Sequence, residues 1–347
     1  MVYKAPCKYF SICGGCTLQD MEQHGAYKFS LLENALAKLD SSFILHQLIQ
    51  VPIRSRRRAS FKLENNRLSF NKLRSHEKVA IEECLLLEDK LNNLILPINQ
   101  LLKKLPGKVD GLNMLSSDTG IELLFLSKKP NNLENSQLLA KFASDHKVAR
   151  IVWENNIVIQ LQPVQLKFAE IKVDLPINSF LQVSKESSEI MSKIILKHLV
   201  KEKQILELYC GCGSFTIPML EKKTSIYAVE GAHEAVEALN KTAKDNLLKI
   251  KAIKRDLYQN PLQVNELNEF SQVVINPPRN GAGPQIKQMA MANKVQRIIM
   301  ISCSVENFIR DARSLIVGGF KLVEVYPIDQ FLYSEHLELV AIFLRSS

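Results

Sequence analysis

From Ser179 to the C-terminus, short apolar runs alternate with helix-length amphipathic stretches, and this rhythm limits the possible folds more than any other feature of the chain. A helical stretch from Lys185 to Leu199 precedes QILELY and SIYAVE, a helix opens at His233, and IKAIK, QVVIN and RIIMIS follow. Apolar strands of this length alternating with helices predict a parallel, doubly wound α/β sheet buried on both faces. After RIIMIS, residues Glu306 to Leu315 again repeat their apolar positions at helical spacing (Phe308, Ile309, Ala312, Leu315). The closing runs KLVEVY and LELVAIF have no helix between them, so they are expected to pair antiparallel. Residues 1–174 read differently: strand-like runs (Ile121 to Leu126, Arg150 to Trp153, Val158 to Leu161) accompany two helices, Ala26 to Leu39 and Lys90 to Leu105. That mixture predicts an N-terminal α+β domain, 1–174, followed by the α/β domain, 175–347.

Bulk properties narrow the partners. The chain has 347 residues, 46% apolar and 23% charged, which suits two globular cores. Neither a basic start with an apolar run nor an uninterrupted apolar window of roughly 18 residues is present, so the expectation is a cytoplasmic protein without membrane contact. In that compartment the 7 cysteines are expected to be ligands, catalysts or buried thiols. The formal charge is +9, and residues 54–78 hold nine basic side chains against two acidic ones. Apolar residues alternate within the same window (Ala59, Phe61, Leu63, then Leu68, Phe70), which predicts a β-hairpin turning at ENNR with a basic outer surface. Arg54, Arg56, Arg57 and Arg58 are its candidates for phosphate contact, with nucleic acid as the expected partner and no obligate protein partner evident.

Four motifs carry the chemistry. In LELYCGCGSFT a strand runs into a glycine turn, where Gly211 and Gly213 allow close approach of backbone to a ligand. Glu230 ends the next strand, where a carboxylate is placed to accept from ribose hydroxyls. Together they indicate a nucleoside-containing cofactor, either a dinucleotide or S-adenosyl-L-methionine. VVINPPRNGAG ends a further strand with Asn276, Pro277 and Pro278, two prolines that stiffen the loop and stop the sheet. Cys303 sits where RIIMIS meets the following helix, at the edge of an open α/β sheet where ligands meet chemistry. A thiolate there can add to C6 of a pyrimidine and make C5 nucleophilic, after which the C5 proton needs a general base. SEHLELVAIF offers Glu338 at the start of the last strand, with His336 two residues before it.

These residues resemble the uracil-5 RNA methyltransferase family from Cys7 to the C-terminus. The likeness rests on Phe180, Leu181 and Gln182, then LYCGCG, NPPR, the SC pair Ser302–Cys303 and the HxE of His336 to Glu338. In amino-group methyltransferases an aromatic usually follows the two prolines; Arg279 stands here, which points to a ring carbon. The resemblance implies a Rossmann-like, S-adenosyl-L-methionine-dependent fold, Cys303 as nucleophile and Glu338 as C5 base. It also implies a cofactor and base pocket made by Gln182, Tyr209, Gly211, Gly213, Glu230 and Asn276, with Arg279 meeting RNA. The chain departs from the family at Ser304 and Ser184, where Asn is common, and at Asn276, where Asp is common. Cys210 and Cys212 read as glycine-loop neighbours or buried thiols, and Trp153 as core. The alternative enzyme is a cytosine C5 or amino methyltransferase on nucleic acid.

CKYFSICGGC supplies Cys7, Cys13 and Cys16, and IEECLLL supplies Cys84. Three clustered thiols and a distant fourth suit an iron–sulfur cluster, with zinc as the rival. The family's ribosomal RNA members carry a four-iron, four-sulfur (4Fe-4S) cluster at similar spacing, and transfer RNA members generally lack it. The resemblance therefore implies a 4Fe-4S site and a 23S ribosomal RNA substrate, with transfer RNA methylation or a non-catalytic iron–sulfur RNA-binding protein as alternatives. Many relatives begin with a small β-barrel RNA-binding domain; with its cysteine cluster starting at Cys7, this chain is expected to lack one.

Overall fold

A computed structural model describes residues 3–39, 41–105 and 109–346. Among the described residues, the apolar runs of the second half lie in one nine-stranded sheet. Gln204–Leu208, Ser225–Glu230 and Ile250–Lys254 are parallel neighbours, and Gln272–Ile275 followed by Arg297–Ser302 extends the sheet on the other side of Gln204–Leu208. Phe320–Asp329 and Glu338–Arg345 form the expected antiparallel pair, with Glu338–Arg345 seated against Arg297–Ser302. Ile205 enters one core with helices Lys185–His198 and His233–Asp245, while Leu206 enters the other with Pro284–Met291 and Val305–Val317. Both faces are covered, which is why these strands read as continuous apolar runs rather than alternating ones. The chain reverses its direction of travel between Gln204–Leu208 and Gln272–Ile275, and a crevice opens at the C-terminal ends of such strands.

The first sheet has seven strands, ordered Lys78–Ala80, Arg67–Asn71, Arg58–Glu64, Gly111–Ser116, Ile121–Leu126, Arg150–Trp153 and Asn156–Gln160. Helices Asp89–Lys103 and Leu133–His146 pack on it around Phe61, Leu112, Phe125 and Trp153. The ENNR hairpin forms as expected: Asn65 and Asn66 adopt φ of 50° and 56°, the two left-handed residues that a type I′ turn needs.

Residues 24–50 attach elsewhere than sequence reading suggests. Helix His24–Leu36 sends Leu32 and Leu36 into the core of the second sheet, and Ile44–Leu45 and Ile49–Gln50 pair parallel with Phe320–Asp329. Two-residue strands carry no periodicity by which to recognise them. Lys28 Nζ and Asp329 Oδ1 stand 2.5 Å apart with both side chains fully buried. Losing either partner would strand a charge in the interior, a loss of about 3–5 kcal/mol. No helix among the described residues is long and apolar enough to cross a membrane.

Candidate active site

A cavity of about 710 Å³ opens at the C-terminal edge of the second sheet, and Gly211, Glu230, Asn276, Cys303 and Glu338 all line it. Each arrives from the end of a different strand, so residues far apart in sequence meet at one edge. Gly211 has φ 56°, and a Cβ built there would meet nothing within 4 Å, so this glycine leaves open space on the cavity side. Gly213 differs. A Cβ at Gly213 would stand 2.7 Å from Leu239 Cδ1, so that glycine permits helix packing and is not among the lining residues, contrary to its expected place in the cofactor pocket.

Glu230 is fixed by backbone: Oε2 accepts from Gly211 N at 3.0 Å, and Oε1 accepts from Gly231 N at 2.7 Å and Ala232 N at 2.9 Å. Tyr209 lines the cavity in a left-handed conformation, φ 60°. Among the described residues its buried hydroxyl finds no hydrogen-bond partner, and burial together with the nearby acids Asp256, Asp311 and Glu230 holds its pKa above the usual phenol range. The open cradle at Gly211, with the Glu230 carboxylate held beside it, fits a polar ligand at this end.

The other end holds Cys303 and Glu338. Cys303 follows Arg297–Ser302 directly and is half-buried; burial raises its thiol pKa, the Glu338 carboxylate raises it further, and the Arg279 guanidinium opposes both. Glu338, the first residue of its strand, is 2% exposed, and burial pushes its carboxyl up to about 8. Among the described residues its side-chain hydrogen-bond partner is Gln330, whose Nε2 donates to Glu338 Oε2. Arg279 Nη2 lies 3.0 Å from His336 Nε2. Guanidinium can only donate, so this histidine nitrogen is the acceptor and the ring is neutral, in keeping with a pKa lowered by burial and by Arg279.

Ser184 and Ser304, the two departures from Asn, are both helix N-caps: Ser184 Oγ accepts from Ser187 N at 3.0 Å and Ser304 Oγ from Asn307 N at 3.4 Å. Serine and asparagine cap equally well, so these exchanges leave the backbone after Gln182 and Cys303 in place.

The arginine run requires a correction. Arg57 is 3% exposed and donates from Nε to Gln182 O at 2.9 Å, while Arg58 Nη1 donates to Leu181 O at 3.0 Å and its guanidinium lies 4.8 Å from the Phe180 ring centroid. Both arginines anchor the Phe180–Gln182 segment instead of forming a solvated basic face, although Arg58 also borders the cavity. Arg54 is exposed and pairs with Asp89. Alternation alone could not reveal this, because the covering segment lies more than a hundred residues away. Sequence reading also missed Gln330, a buried glutamine in an apolar strand end that carries no motif.

Cys7, Cys13, Cys16 and Cys84 line a second cavity, of about 540 Å³. The chain thus brings the four expected ligands to one place. Among the described residues, however, no three His, Cys, Asp or Glu side chains stand at a spacing that would hold a single metal ion. Burial pushes Cys16 up to about 12 and raises Cys13 and Cys84. Arg56 lines both cavities and forms part of the wall between them. Cys210 and Cys212 are buried with raised pKa values, as inert thiols should be.

Residues 54–346 match the family model described as tRNA (Uracil-5-)-methyltransferase. An uncharacterised RNA methyltransferase of Rhizobium meliloti is 30% identical over 352 residues, covering 97% of this chain and 84% of its own length. The 23S rRNA (uracil(1939)-C(5))-methyltransferase RlmD of Haemophilus influenzae is 28% identical over 97% of this chain and 81% of its own. Among solved structures, the Pyrococcus abyssi tRNA (uracil-54, C5)-methyltransferase in complex with S-adenosyl-L-homocysteine shares the fold with a TM-score of 0.76, covering 95% of this chain and 86% of its own at 18% identity. With the family model matching residues 54–346 and the Rhizobium meliloti relative covering most of the chain, the protein belongs to the tRNA (uracil-5-)-methyltransferase family and is an RNA methyltransferase.

Proposed function

We propose that this protein transfers the methyl group of S-adenosyl-L-methionine to C5 of a uridine in RNA, with ribosomal RNA as the substrate class. One observation carries the reading: Cys303 and Glu338 share a cavity with Gly211, Glu230 and Asn276. When bound, S-adenosyl-L-methionine supplies an electrophilic methyl group, and Gln182, Tyr209, Gly211, Glu230 and Asn276 would hold it beside the base. The Cys303 thiolate adds to C6 of the flipped-out uracil, and the displaced π electrons make C5 nucleophilic toward that methyl group. Glu338 carboxylate then takes the C5 proton, the C–H pair restores the C5–C6 double bond, and the C6–S bond breaks to return the thiolate. Since burial holds Glu338 near 8, proton removal is expected to accelerate as pH rises toward that value.

A denaturing gel tests the roles. With an RNA loop and S-adenosyl-L-methionine, Glu338→Gln should accumulate a covalent methylated protein–RNA species, whereas Cys303→Ala should give neither adduct nor product. An adduct in Cys303→Ala would assign the nucleophile wrongly.

Ribosomal RNA is supported by the Haemophilus influenzae relative, which is named for 23S rRNA, while the solved Pyrococcus abyssi relative is named for transfer RNA. Mass-spectrometric mapping of methylated uridines in both RNAs from a deletion strain distinguishes them. The four thiols around one cavity support a 4Fe-4S cluster held by Cys7, Cys13, Cys16 and Cys84, in a structural role beside Arg56. Arg54, Arg56, Arg58 and Arg279 are the proposed RNA contacts; buried Arg57 would act by anchoring Gln182.

A further inference from the structure

Gln330 follows the strand Phe320–Asp329 and is 6% exposed. Its amide joins three elements: Nε2 donates to Gln182 Oε1 at 3.0 Å and to Glu338 Oε2, and Oε1 accepts from Ser187 Oγ at 2.6 Å. The flanking residues are clamped as firmly. Asp329 meets Lys28 Nζ at 2.5 Å and Gln50 Nε2 at 3.3 Å, and Lys28 Nζ also donates to Phe331 O at 3.3 Å. A side chain bonded at both ends, on a backbone held at both sides, has one orientation, with its NH₂ toward the base and its carbonyl toward Ser187.

We propose that Gln330 is a positioning residue for C5 proton removal, its amide holding the Glu338 carboxylate in place and coupling it to Gln182. The inference rests on the reading of Glu338 as the base. A carboxyl buried in this way favours its neutral form, which takes no proton, and a donated hydrogen bond favours the ionised one; here burial is the larger influence and Gln330 opposes it. A lysine or arginine in this place would stabilise the carboxylate so strongly that it would lose basicity, and an apolar residue would leave it protonated. A neutral amide donor lies between. The other titratable groups around the base are the Cys303 thiol on the neighbouring strand, His336 and Arg279 at the mouth, and the Lys28–Asp329 pair behind Gln330. Helix Lys185–His198 meets the network through Ser187, while its Glu186 lies near Arg57. Gln330 makes and breaks no covalent bond; it acts only through Glu338.

The test follows single-turnover formation and release of the covalent protein–RNA adduct by wild type, Gln330→Met, Gln330→Glu and Glu338→Gln, from about pH 6 to about pH 9. Gln330→Met keeps the length and removes the donor, so adduct should form at the wild-type rate and release about tenfold more slowly near neutrality, the equivalent of one pKa unit. The deficit should narrow as pH rises, because alkali ionises Glu338 without help. Gln330→Glu keeps the shape and places a second acid beside the base, so its release profile should move further toward high pH. S-adenosyl-L-homocysteine binding and thermal unfolding report whether each variant is folded. Wild-type release rates and pH profile in both Gln330 variants, with Glu338→Gln still trapping adduct, would reduce Gln330 to packing. Absence of trapping in Glu338→Gln itself would overturn the assignment of the base, and this inference with it.

Discussion

Two regions of this molecule hold thiols in cavities of about 540 and 710 Å³, and they surround them differently. Around the 540 Å³ cavity, Cys7, Cys13, Cys16 and Cys84 gather on the N-terminal side, three from one loop and one from a distant segment. In the 710 Å³ cavity, Cys303 shares its walls with an acid and a guanidinium, and the buried Cys212 lines it at the glycine turn. Burial raises the thiol pKa in both places. Cys303 has the Glu338 carboxyl and the Arg279 guanidinium among its influences, whereas Cys84 has the Arg56 guanidinium and a neighbouring thiol, Cys13. A thiol becomes a nucleophile through its neighbours, and several thiols gathered around one cavity suit ligation.

The largest expected effect that separates the regions is on turnover. Cys303→Ala should lower methyl transfer by roughly 10⁴-fold or more while leaving bound iron and sulfide unchanged; loss of iron in that variant would merge the two roles. Cys84→Ser should do the reverse, giving protein depleted of iron and visible absorbance, with lower soluble yield but Cys303 still alkylated by iodoacetamide. Next in size, Arg279→Ala removes the cation that lowers the Cys303 pKa, so the midpoint of its alkylation should move up by about one unit and the rate at neutral pH should fall. An unchanged midpoint would mean that solvent already screens Arg279. The smallest effect is expected at Cys210, where alkylation of the folded enzyme should be undetectable by peptide mass spectrometry beside Cys303, because burial holds that thiol neutral and out of reach.

Sequence patterns reveal whatever local chemistry enforces. The second sheet was legible because strands covered on both faces must be apolar throughout, and the ENNR hairpin because a two-residue turn needs left-handed residues. The meeting of Cys303 and Glu338 in one cavity was legible because strand ends of an open sheet are where side chains converge. Arg57 was misread as surface because its cover is the carbonyl of Gln182, 125 positions later. Gly213 was assigned to the ligand when its absent side chain makes room for Leu239. Gln330 escaped notice because the meaning of a buried amide lies in its three partners, none of them near it in sequence.

The Lys28–Asp329 contact joins positions 301 residues apart. A chain made from its N-terminus at roughly 5–20 residues per second exposes Lys28 for about 15–60 s before Asp329 exists. During that interval the helix His24–Leu36 has no sheet to lie on, and Leu32 and Leu36 stay wetted or meet transient partners. The first sheet has all its strands by Gln160 and can form long before. Synthesis therefore imposes an order in which the N-terminal sheet matures early, while the oldest part of the chain waits for the youngest before the catalytic core can close.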